Sequence, residues 1–260
     1  MDLQLKGKIV LVTGGAKGIG AAIVRASASE GAIPVFLDHD VEAGEKLLAE
    51  LRNSGAESEF ISGDITAPQT CGKVVEQTLQ KFGRLDALVN NVGANDNVGL
   101  EQGTVAKFVA SLALNLVHYY AMAHHALPAL KKSRGSIVNI SSKTAVTGQG
   151  GTSGYVAAKA AILGLTREWA AELLPTGIRV NAVVPAEVAT PLYQQWVSGF
   201  PNPEEKLARI VSKIPLGKRM TKPEEIADMV VFLFSERASH ITGQHIFVDA
   251  GYTHLDRALT

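Results

Sequence analysis

Short apolar runs alternate with longer segments of helical periodicity along the whole length of this chain. The apolar runs predict strands at 9–12, 33–37, 59–61, 88–90, 136–140, 178–183 and 246–248. The periodic segments between them predict helices at 19–29, 42–51, 72–82, 106–130, 155–173 and 223–234. Strands joined through helices form a parallel sheet, because right-handed crossovers place the helices on both of its faces. The chain is therefore predicted to be an α/β protein with a doubly wound parallel sheet in three layers, a single domain over residues 1–260.

The charge balance and the cysteine count exclude several classes of protein. The 25 Lys and Arg residues equal the 25 Asp and Glu residues, so bulk electrostatics favour neither a nucleic acid nor a membrane as partner. A lone cysteine, Cys71, and scattered histidines predict no metal site. The longest uninterrupted apolar run, 229–234, is much shorter than the ~18 residues of a membrane span, and the N-terminus lacks a signal pattern. We expect a cytoplasmic protein.

A glycine-rich segment, Thr13-Gly14-Gly15-Ala16-Lys17-Gly18-Ile19-Gly20, lies between the first predicted strand and the first predicted helix. Glycines allow a sharp turn and a close approach of a diphosphate to the backbone, and the helix N-terminus supplies amide donors. The alternative is a tight turn with packing glycines, which the strand–turn–helix context disfavours. The candidate cofactor-binding residues here are Gly14, Lys17, Gly18, Ile19 and Gly20.

Three further residues are candidates for binding the adenosine half of a dinucleotide. Asp38 closes the second predicted strand, where a carboxylate accepts hydrogen bonds from ribose hydroxyls and repels a 2′-phosphate. This favours NAD, whereas the positive charge of Lys17 would tolerate NADP. Asp64 and Ile65 follow the third strand, at the expected edge of the adenine site. A solvated carboxylate at Asp38, a solvated Lys17 and a turn aspartate at Asp64 are the structural alternatives.

Tyr155 and Lys159 are four residues apart on one predicted helix and therefore share a face. A free tyrosine is a poor base at neutral pH, and a neighbouring ammonium is expected to lower its pKa. Ser142 follows a predicted strand at the carboxyl edge of the sheet, where its hydroxyl can hold a substrate oxygen. Asn115 is a polar amide among leucines in the long helix 106–130. These residues predict proton transfer to or from an alcohol or carbonyl oxygen.

Together these motifs resemble the short-chain dehydrogenase/reductase family in its single-domain, Rossmann-like branch. The resemblance includes the glycine-rich segment, Asp64, Asn90-Asn91-Val92-Gly93, Asn115, Ser142, Tyr155-x-x-x-Lys159, Pro185 to Thr190 and Thr242-Gly243-Gln244. Val92, Ala186 and Ala250 replace the family's usual Ala, Gly and Gly.

The resemblance implies roles for individual residues. Tyr155 would be the acid/base, Lys159 its pKa tuner and a nicotinamide-ribose ligand, and Ser142 would polarise the substrate oxygen. Asn115 would hold the water of a proton relay. The further cofactor-binding residues that it implies are Asn91, Gly93, Tyr155, Lys159, Pro185, Val188 and Thr190. It also implies a homotetramer that packs through the helices 106–130 and 155–173.

Polar and aromatic residues near the expected reacting oxygen indicate the substrate. The candidate substrate-binding residues are Asn95, Asp96, Ser142, Gln149, Tyr155, Glu187 and Trp196, the last two in a substrate loop at about 185–215. Such side chains bind a polyhydroxylated sugar through hydrogen bonds and ring stacking, although turn capping and surface exposure explain them equally well. With the His254-Leu255-Asp256 segment, they resemble bacterial sugar dehydrogenases of the L-fucose type. The predicted reaction is oxidation of an aldopyranose at its anomeric carbon to a lactone.

Two other functions remain open from the sequence. A 3-oxoacyl-carrier-protein reductase would need a basic docking face, which Lys213, Lys218, Arg219 and Lys222 would supply. A catalytically dead nucleotide-binding regulator is disfavoured by the complete set of Ser142, Tyr155 and Lys159.

Overall fold

A computed structural model of the chain describes residues 1–255. Asp256 and the last residues of the predicted domain therefore lie outside the described part. Seven strands form one sheet: β1 (Ile9–Thr13), β2 (Ile33–Asp38), β3 (Glu59–Ser62), β4 (Ala87–Asn90), β5 (Ser136–Ile140), β6 (Arg179–Pro185) and β7 (His245–Val248). The strand order is β3-β2-β1-β4-β5-β6-β7, and every pair is parallel. The predicted doubly wound parallel sheet is confirmed.

Ten α-helices connect and cover the strands in the described residues. They are α1 (Gly18–Ser29), α2 (Val41–Asn53), α3 (Thr70–Phe82), α4 (Val105–Leu112), α5 (His118–Ser133), α6 (Thr144–Thr147), α7 (Ser153–Leu173), α8 (Pro191–Ser198), α9 (Pro203–Val211) and α10 (Pro223–Phe234). The predicted helix 106–130 is interrupted by a π-helical turn, Ala113–Val117, between α4 and α5. The sequence did not predict α6, α8 or α9, which are short and surround the carboxyl edge of the sheet.

The central strands are buried on both faces, as their continuous apolar sequences require. In β1 all five residues are buried. One core lies between the sheet and α1, α2 and α10, with Val10, Val12 and Val230 among its members. The other lies between the sheet and α3, α5 and α7, around Leu11 and Tyr119. The three predicted layers are therefore present.

The stretch Val105–Ser133 is, among the described residues, one run of helix long and apolar enough to cross a membrane by length and composition. The core helix of a soluble protein passes the same test, so the indication is weak. One face of this run packs on the sheet through the fully buried Tyr119, Met122 and Leu130. Val109, Val117 and Tyr120 on the same run are more than half exposed.

The strand order reverses between β1 and β4, which both pair with their neighbours in parallel. At such a point the connections leave in opposite directions, and a crevice opens beyond the carboxyl ends of the strands. The glycine-rich segment, the loop after β4 and the loop after β5 all begin at this edge. The fold therefore brings the candidate site residues to one place.

Candidate active site

The glycine-rich segment turns tightly between β1 and α1. Gly14 and Gly18 have φ of +64° and +55°, which favours glycine. A Cβ on Gly20 would lie 1.9 Å from the Gly14 carbonyl oxygen, so no larger residue fits there. Ile19 lies in the first turn of α1. The segment thus has the close-approach geometry that a bound diphosphate needs, at the N-terminus of a 12-residue helix.

Asp38 closes β2 and is nearly buried. Its carboxylate accepts a hydrogen bond from the Ala16 amide at 3.0 Å and another from the Asp40 amide at 3.0 Å. Asp40 caps α2 and binds the Lys17 ammonium at 2.5 Å. The pKa of Lys17 is raised, mainly by that hydrogen bond. Lys17 is therefore already paired with a carboxylate, which reduces the charge that it offers to a 2′-phosphate.

The side chains of Asp64 and Asn91 form hydrogen bonds with neighbouring groups of the protein. The exposed Asp64 carboxylate accepts from the amide and the hydroxyl of Thr66, and these bonds lower its pKa. Ile65 beside it is buried. The Asn91 side-chain amide donates to the carbonyls of Thr13 and Gly14 at 3.0 and 3.1 Å. Asn91 therefore fixes the glycine-rich segment to the end of β4.

The residues after β6 close the opposite side of the crevice. Pro185 ends that strand, and its carbonyl accepts from the Lys143 amide at 2.9 Å. Val188 is buried and bridges to Thr221. Thr190 caps α8, and a Cβ on Gly18 would lie 3.3 Å from its methyl group. The start of α8 thus packs over the glycine-rich segment.

Ser142 and Tyr155 meet at the carboxyl edge of β5. Ser142 lies two residues beyond the strand, and its hydroxyl accepts a bond from the Thr144 hydroxyl at 3.1 Å. The Ser142 side chain also lies near enough to Tyr155, in the first turns of α7, to lower the pKa of that phenol. The two side chains therefore lie together, and their sharing of one substrate oxygen stays a prediction.

Lys159 is buried beneath Tyr155 and held by two acceptors. Its ammonium donates to the Tyr119 hydroxyl at 3.1 Å and to the Ile140 carbonyl at 3.0 Å. The same Tyr119 hydroxyl donates to Ile140 at 2.8 Å. Sequence reasoning missed Tyr119, although it lies four residues after Asn115 and thus on the same side of the helix. Tyr119 fixes the position of the Lys159 ammonium.

The pKa values of Tyr155 and Lys159 are shifted in opposite directions. Burial lowers the pKa of Lys159 to about 7. The pKa of Tyr155 is raised by burial and by the charge of Glu187, against the lowering effect of the Ser142 side chain. The Lys159 ammonium lies 5.7 Å from the centre of the Tyr155 ring, and desolvation disfavours its charged form. The expected lowered pKa of Tyr155 is therefore wrong for this arrangement.

Asn115 occupies the π-helical turn and is fully buried. Its side-chain oxygen accepts from the Ala94 amide at 2.8 Å, and its nitrogen donates to the Ser111 carbonyl at 3.1 Å. A Cβ on Gly93 would lie 2.9 Å from the Lys159 nitrogen and 3.1 Å from the Asn115 oxygen. Asn115 thus holds the loop after β4 against Lys159, and a larger residue at position 93 would displace the Lys159 ammonium or the Asn115 amide.

The loop after β4 carries two of the predicted substrate residues. Asn95 accepts from the Asn97 amide at 3.1 Å, so its side chain caps a turn. Asp96 has a buried carboxylate oxygen without a hydrogen-bond partner. Gly154 at the start of α7 donates to the Val98 carbonyl at 3.1 Å and ties this loop to the Tyr155 helix. An unpaired buried acceptor such as that of Asp96 suits a hydroxyl donor.

Glu187 lies in a polar cluster beside Tyr155. Its carboxylate pairs with the ammonium of Lys143, which sequence reasoning missed although it directly follows Ser142. Both side chains are largely buried, with 14% and 12% of their surface exposed. Tyr193 hydrogen-bonds to Glu187, and the Lys143 ammonium lies 3.7 Å from the centre of the Tyr252 ring.

The remaining two substrate candidates lie farther out. Gln149 is exposed in a glycine-rich loop between Ser142 and Tyr155. Trp196 packs edge-to-face on Tyr193 and Phe200, with ring centres 5.2 and 4.9 Å apart. The Trp196 ring is thus part of an aromatic cluster on α8. In the described residues no group of three or more metal-ligating side chains occurs.

Several known proteins are similar to this chain in sequence. A family model described as enoyl-(acyl carrier protein) reductase matches residues 14–253. The L-fucose dehydrogenase of Mus musculus is 40% identical over 249 residues, which cover 95% of this chain and 89% of that protein. The 3-oxoacyl-[acyl-carrier-protein] reductase FabG of Thermotoga maritima is 36% identical over 250 residues, 96% of this chain and 99% of that protein.

Two solved structures are also similar over nearly the whole chain. The Cj0485 dehydrogenase has a TM-score of 0.94 and 48% identity, and the match covers 100% of this chain and 99% of that one. The Thermoplasma acidophilum aldohexose dehydrogenase has a TM-score of 0.88 and 32% identity, covering 99% and 98%.

Proposed function

The chain belongs to the short-chain dehydrogenase/reductase family, whose members are NAD(P)-dependent oxidoreductases acting on a hydroxyl group, and from this we propose that it oxidises an aldopyranose with NAD. The proposed substrate is L-fucose or an aldose of similar configuration. The reaction converts the anomeric hydroxyl to a lactone. The proposed domain extends over residues 1–260, with 185–215 as the loop that covers the substrate.

The crevice fits a dinucleotide. The positive φ of Gly14 and Gly18 lets the chain turn sharply into α1, whose N-terminal amides can bind a diphosphate, and Gly20 lets the helix pack closely on the Gly14 carbonyl. Asp38 presents a nearly buried carboxylate at the end of β2, where ribose hydroxyls would bind. With Lys17 paired to Asp40, these residues favour NAD over NADP.

The proposed chemistry follows from the hydroxyls of Ser142 and Tyr155. When bound, the nicotinamide supplies a hydride acceptor. Ser142 holds the anomeric oxygen of the sugar, and the Tyr155 phenolate accepts the proton from that oxygen as the carbon loses its hydride. Because burial raises the pKa of Tyr155, oxidation is expected to become faster as the pH rises and the phenolate forms.

The sugar is favoured by the polar side chains around the reacting hydroxyls. Asp96 has a buried oxygen without a partner, and Glu187 and Lys143 lie beside Tyr155. A site with such groups discriminates against ligands that leave them unpaired. The L-fucose and aldohexose dehydrogenases among the similar proteins agree with this proposal.

The reductase acting on carrier-bound 3-oxoacyl groups is the second candidate, since a FabG protein is also similar. Its docking face would use Lys213, Lys218, Arg219 and Lys222. Arg219 is paired with Glu225 through two hydrogen bonds of 2.5 and 2.8 Å. This pairing weakens the expected basic face, so the sugar remains our proposal.

The test compares kcat/KM for L-fucose oxidation with that for reduction of an acetoacetyl thioester, each with NAD and NADP cofactors. We expect L-fucose with NAD to be preferred by at least about tenfold. Tyr155→Phe is the inactive control, with turnover reduced at least about 100-fold and NAD binding retained. A tenfold preference for the thioester would establish the reductase instead. NAD binding without turnover of either compound would favour the dead regulator.

We also propose that the enzyme works in the cytoplasm as a homotetramer. Burial raises the pKa of the single thiol, Cys71, to about 11, so this residue is an unreactive core side chain. The exposed apolar residues of the α4–α5 run supply a surface for subunit packing.

A further inference from the structure

Lys143 connects the catalytic serine to the substrate loop. It directly follows Ser142, and its backbone amide donates to the Pro185 carbonyl at 2.9 Å. Its side chain extends to Glu187, two residues beyond Pro185, and forms the ion pair described above. The ammonium also lies 3.7 Å from the centre of the Tyr252 ring. The position of Lys143 is therefore fixed from the backbone to the charged end.

The carboxylate of the ion pair is near the Tyr155 hydroxyl and also borders a cleft. Glu187 is close enough to Tyr155 for its charge to raise the pKa of the phenol. The same Glu187 lines a cleft of about 240 Å³ with Tyr252 and side chains of α9. A substrate whose reacting carbon meets Ser142 and Tyr155 would extend its remaining atoms toward this pair.

An ion pair with both side chains largely buried is not explained by stability alone. Removing two charges from water costs several kcal/mol per ion, which the attraction between them often only offsets. The pair does, however, place hydrogen-bonding capacity in the site. Lys143 has three donors, of which Glu187 uses one, and Glu187 has acceptor positions beyond those used by Lys143 and Tyr193. Each sugar hydroxyl both donates and accepts, so two adjacent hydroxyls match a neighbouring ammonium and carboxylate.

We propose that Lys143 is a specificity-determining residue that, together with Glu187, recognises adjacent hydroxyls of the pyranose ring. The proposal rests on the proposed function and extends it, because it assigns sugar recognition to one ion pair. The Lys143 ammonium donates to one hydroxyl oxygen, and that hydroxyl or its neighbour donates to Glu187. An acyl thioester lacks such a pair of hydroxyls and leaves the remaining donor and acceptor positions of the ion pair unused.

The test measures kcat/KM for L-fucose and for its 2-, 3- and 4-deoxy analogues in three proteins. These are the unchanged enzyme, Lys143→Met and the control Lys206→Met. Methionine keeps the length of the side chain and its packing on Tyr252 but removes the donors. Lys206 lines the same cleft, yet its ammonium lies on the Phe200 ring, 4.6 Å from the centre.

In the unchanged enzyme, we expect at least one deoxy analogue to react roughly 10- to 100-fold less efficiently than L-fucose, the usual range for a hydrogen bond to a charged group. In Lys143→Met that ratio should fall toward one, because L-fucose loses its contact with Lys143 and the analogue has none to lose. Lys206→Met should keep the ratio of the unchanged enzyme. NAD affinity, measured by fluorescence, should be equal in all three proteins.

Three results would contradict the proposal in different ways. If Lys143→Met slows L-fucose and every deoxy analogue by the same factor, Lys143 has a structural role and the inference fails while the proposed function stands. If the unchanged enzyme oxidises no aldose, both fail. If Lys143→Met no longer binds NAD and so is misfolded, Glu187→Gln replaces it, and an unchanged deoxy ratio in that variant overturns the inference.

Discussion

Two carboxylates, Asp38 and Asp40, lie at the end of β2 and the start of α2, where we propose that the adenosine ribose binds. Asp38→Ala removes a ribose acceptor and a like-charge repulsion, so we expect the NAD/NADP ratio of kcat/KM to fall by about tenfold to 100-fold. This equals about 1.4–2.8 kcal/mol, less than the ~4 kcal/mol between unit charges about 4 Å apart near a protein surface. The measurement is the ratio itself, with the same substrate for both cofactors.

The exposed Asp64 provides the control for this prediction. Its carboxylate is used by Thr66, so Asp64→Asn should leave the cofactor ratio unchanged. If the ratio in Asp38→Ala also stays unchanged, Asp38 does not contact the ribose.

Lys159, a proposed catalytic residue, shows how a buried ionisable group reduces stability. Its pKa is lowered from 10.5 to about 7 by burial, so between these pH values the unfolded chain binds more protons and stability rises with pH. Lys159→Met removes this cost, while Tyr119 still donates to the Ile140 carbonyl. We expect the variant to be inactive but roughly 1–3 kcal/mol more stable at pH 7.

Urea denaturation at several pH values tests this expectation in the absence of cofactor. The gain from Lys159→Met should be largest at and below pH 7 and should disappear as the pH approaches 10.5, the pKa of a free lysine. An equal or lower stability of the variant at pH 7 would show that the contacts of Lys159 outweigh its desolvation.

At the scale of secondary-structure elements, the turn after β7 contains a residue that its backbone disfavours. Ala250 has φ of +56° and is followed by Gly251 at +78°. The left-handed conformation costs a non-glycine residue about 1–2 kcal/mol, and glycine loses roughly 0.5–1 kcal/mol through chain entropy. We therefore expect Ala250→Gly to stabilise the protein by about 0.5–1 kcal/mol, measured as a higher urea midpoint.

A matched substitution separates the relief of backbone strain at Ala250 from the general effect of replacing alanine with glycine. Ala208 is exposed within α9, where glycine costs about 1 kcal/mol relative to alanine. Ala208→Gly should therefore lower the midpoint. A decrease in both variants would mean that the Ala250 turn is not strained.

The π-helical turn and the short helices α6, α8 and α9 could not be predicted from the sequence. The spacing of apolar residues predicts the long helix 106–130. A single π-helical turn, such as Ala113–Val117, hardly changes that spacing, so the sequence does not reveal it. The turn is supported by bonds from elsewhere, such as that from the Ala94 amide to Asn115. Helices α8 and α9 were missed because they are short and half-exposed.

For the whole molecule, the exposed apolar residues of the α4–α5 run predict an assembly. Val109, Val117 and Tyr120 are each 57–58% exposed, although burying such side chains is favourable. Val117→Lys should therefore dissociate the proposed tetramer into smaller species, measured by light scattering. Leu192→Lys, at a residue 57% exposed on α8, should keep the assembly. An unchanged mass in Val117→Lys would place the interface elsewhere.

The amino-acid sequence by itself determined the layers of the fold and which residues are the candidates for catalysis. Both depend on local patterns, since strand–helix alternation fixes a parallel sheet and the spacing of Tyr155 and Lys159 fixes a shared helix face. The tertiary structure alone decided how the charges behave. Burial raised the pKa of Tyr155, whereas the sequence predicted that the neighbouring ammonium would lower it. The approach of two distant loops paired Lys143 with Glu187. Desolvation and long-range pairing depend on which segments pack together, and no local spacing in the chain encodes that.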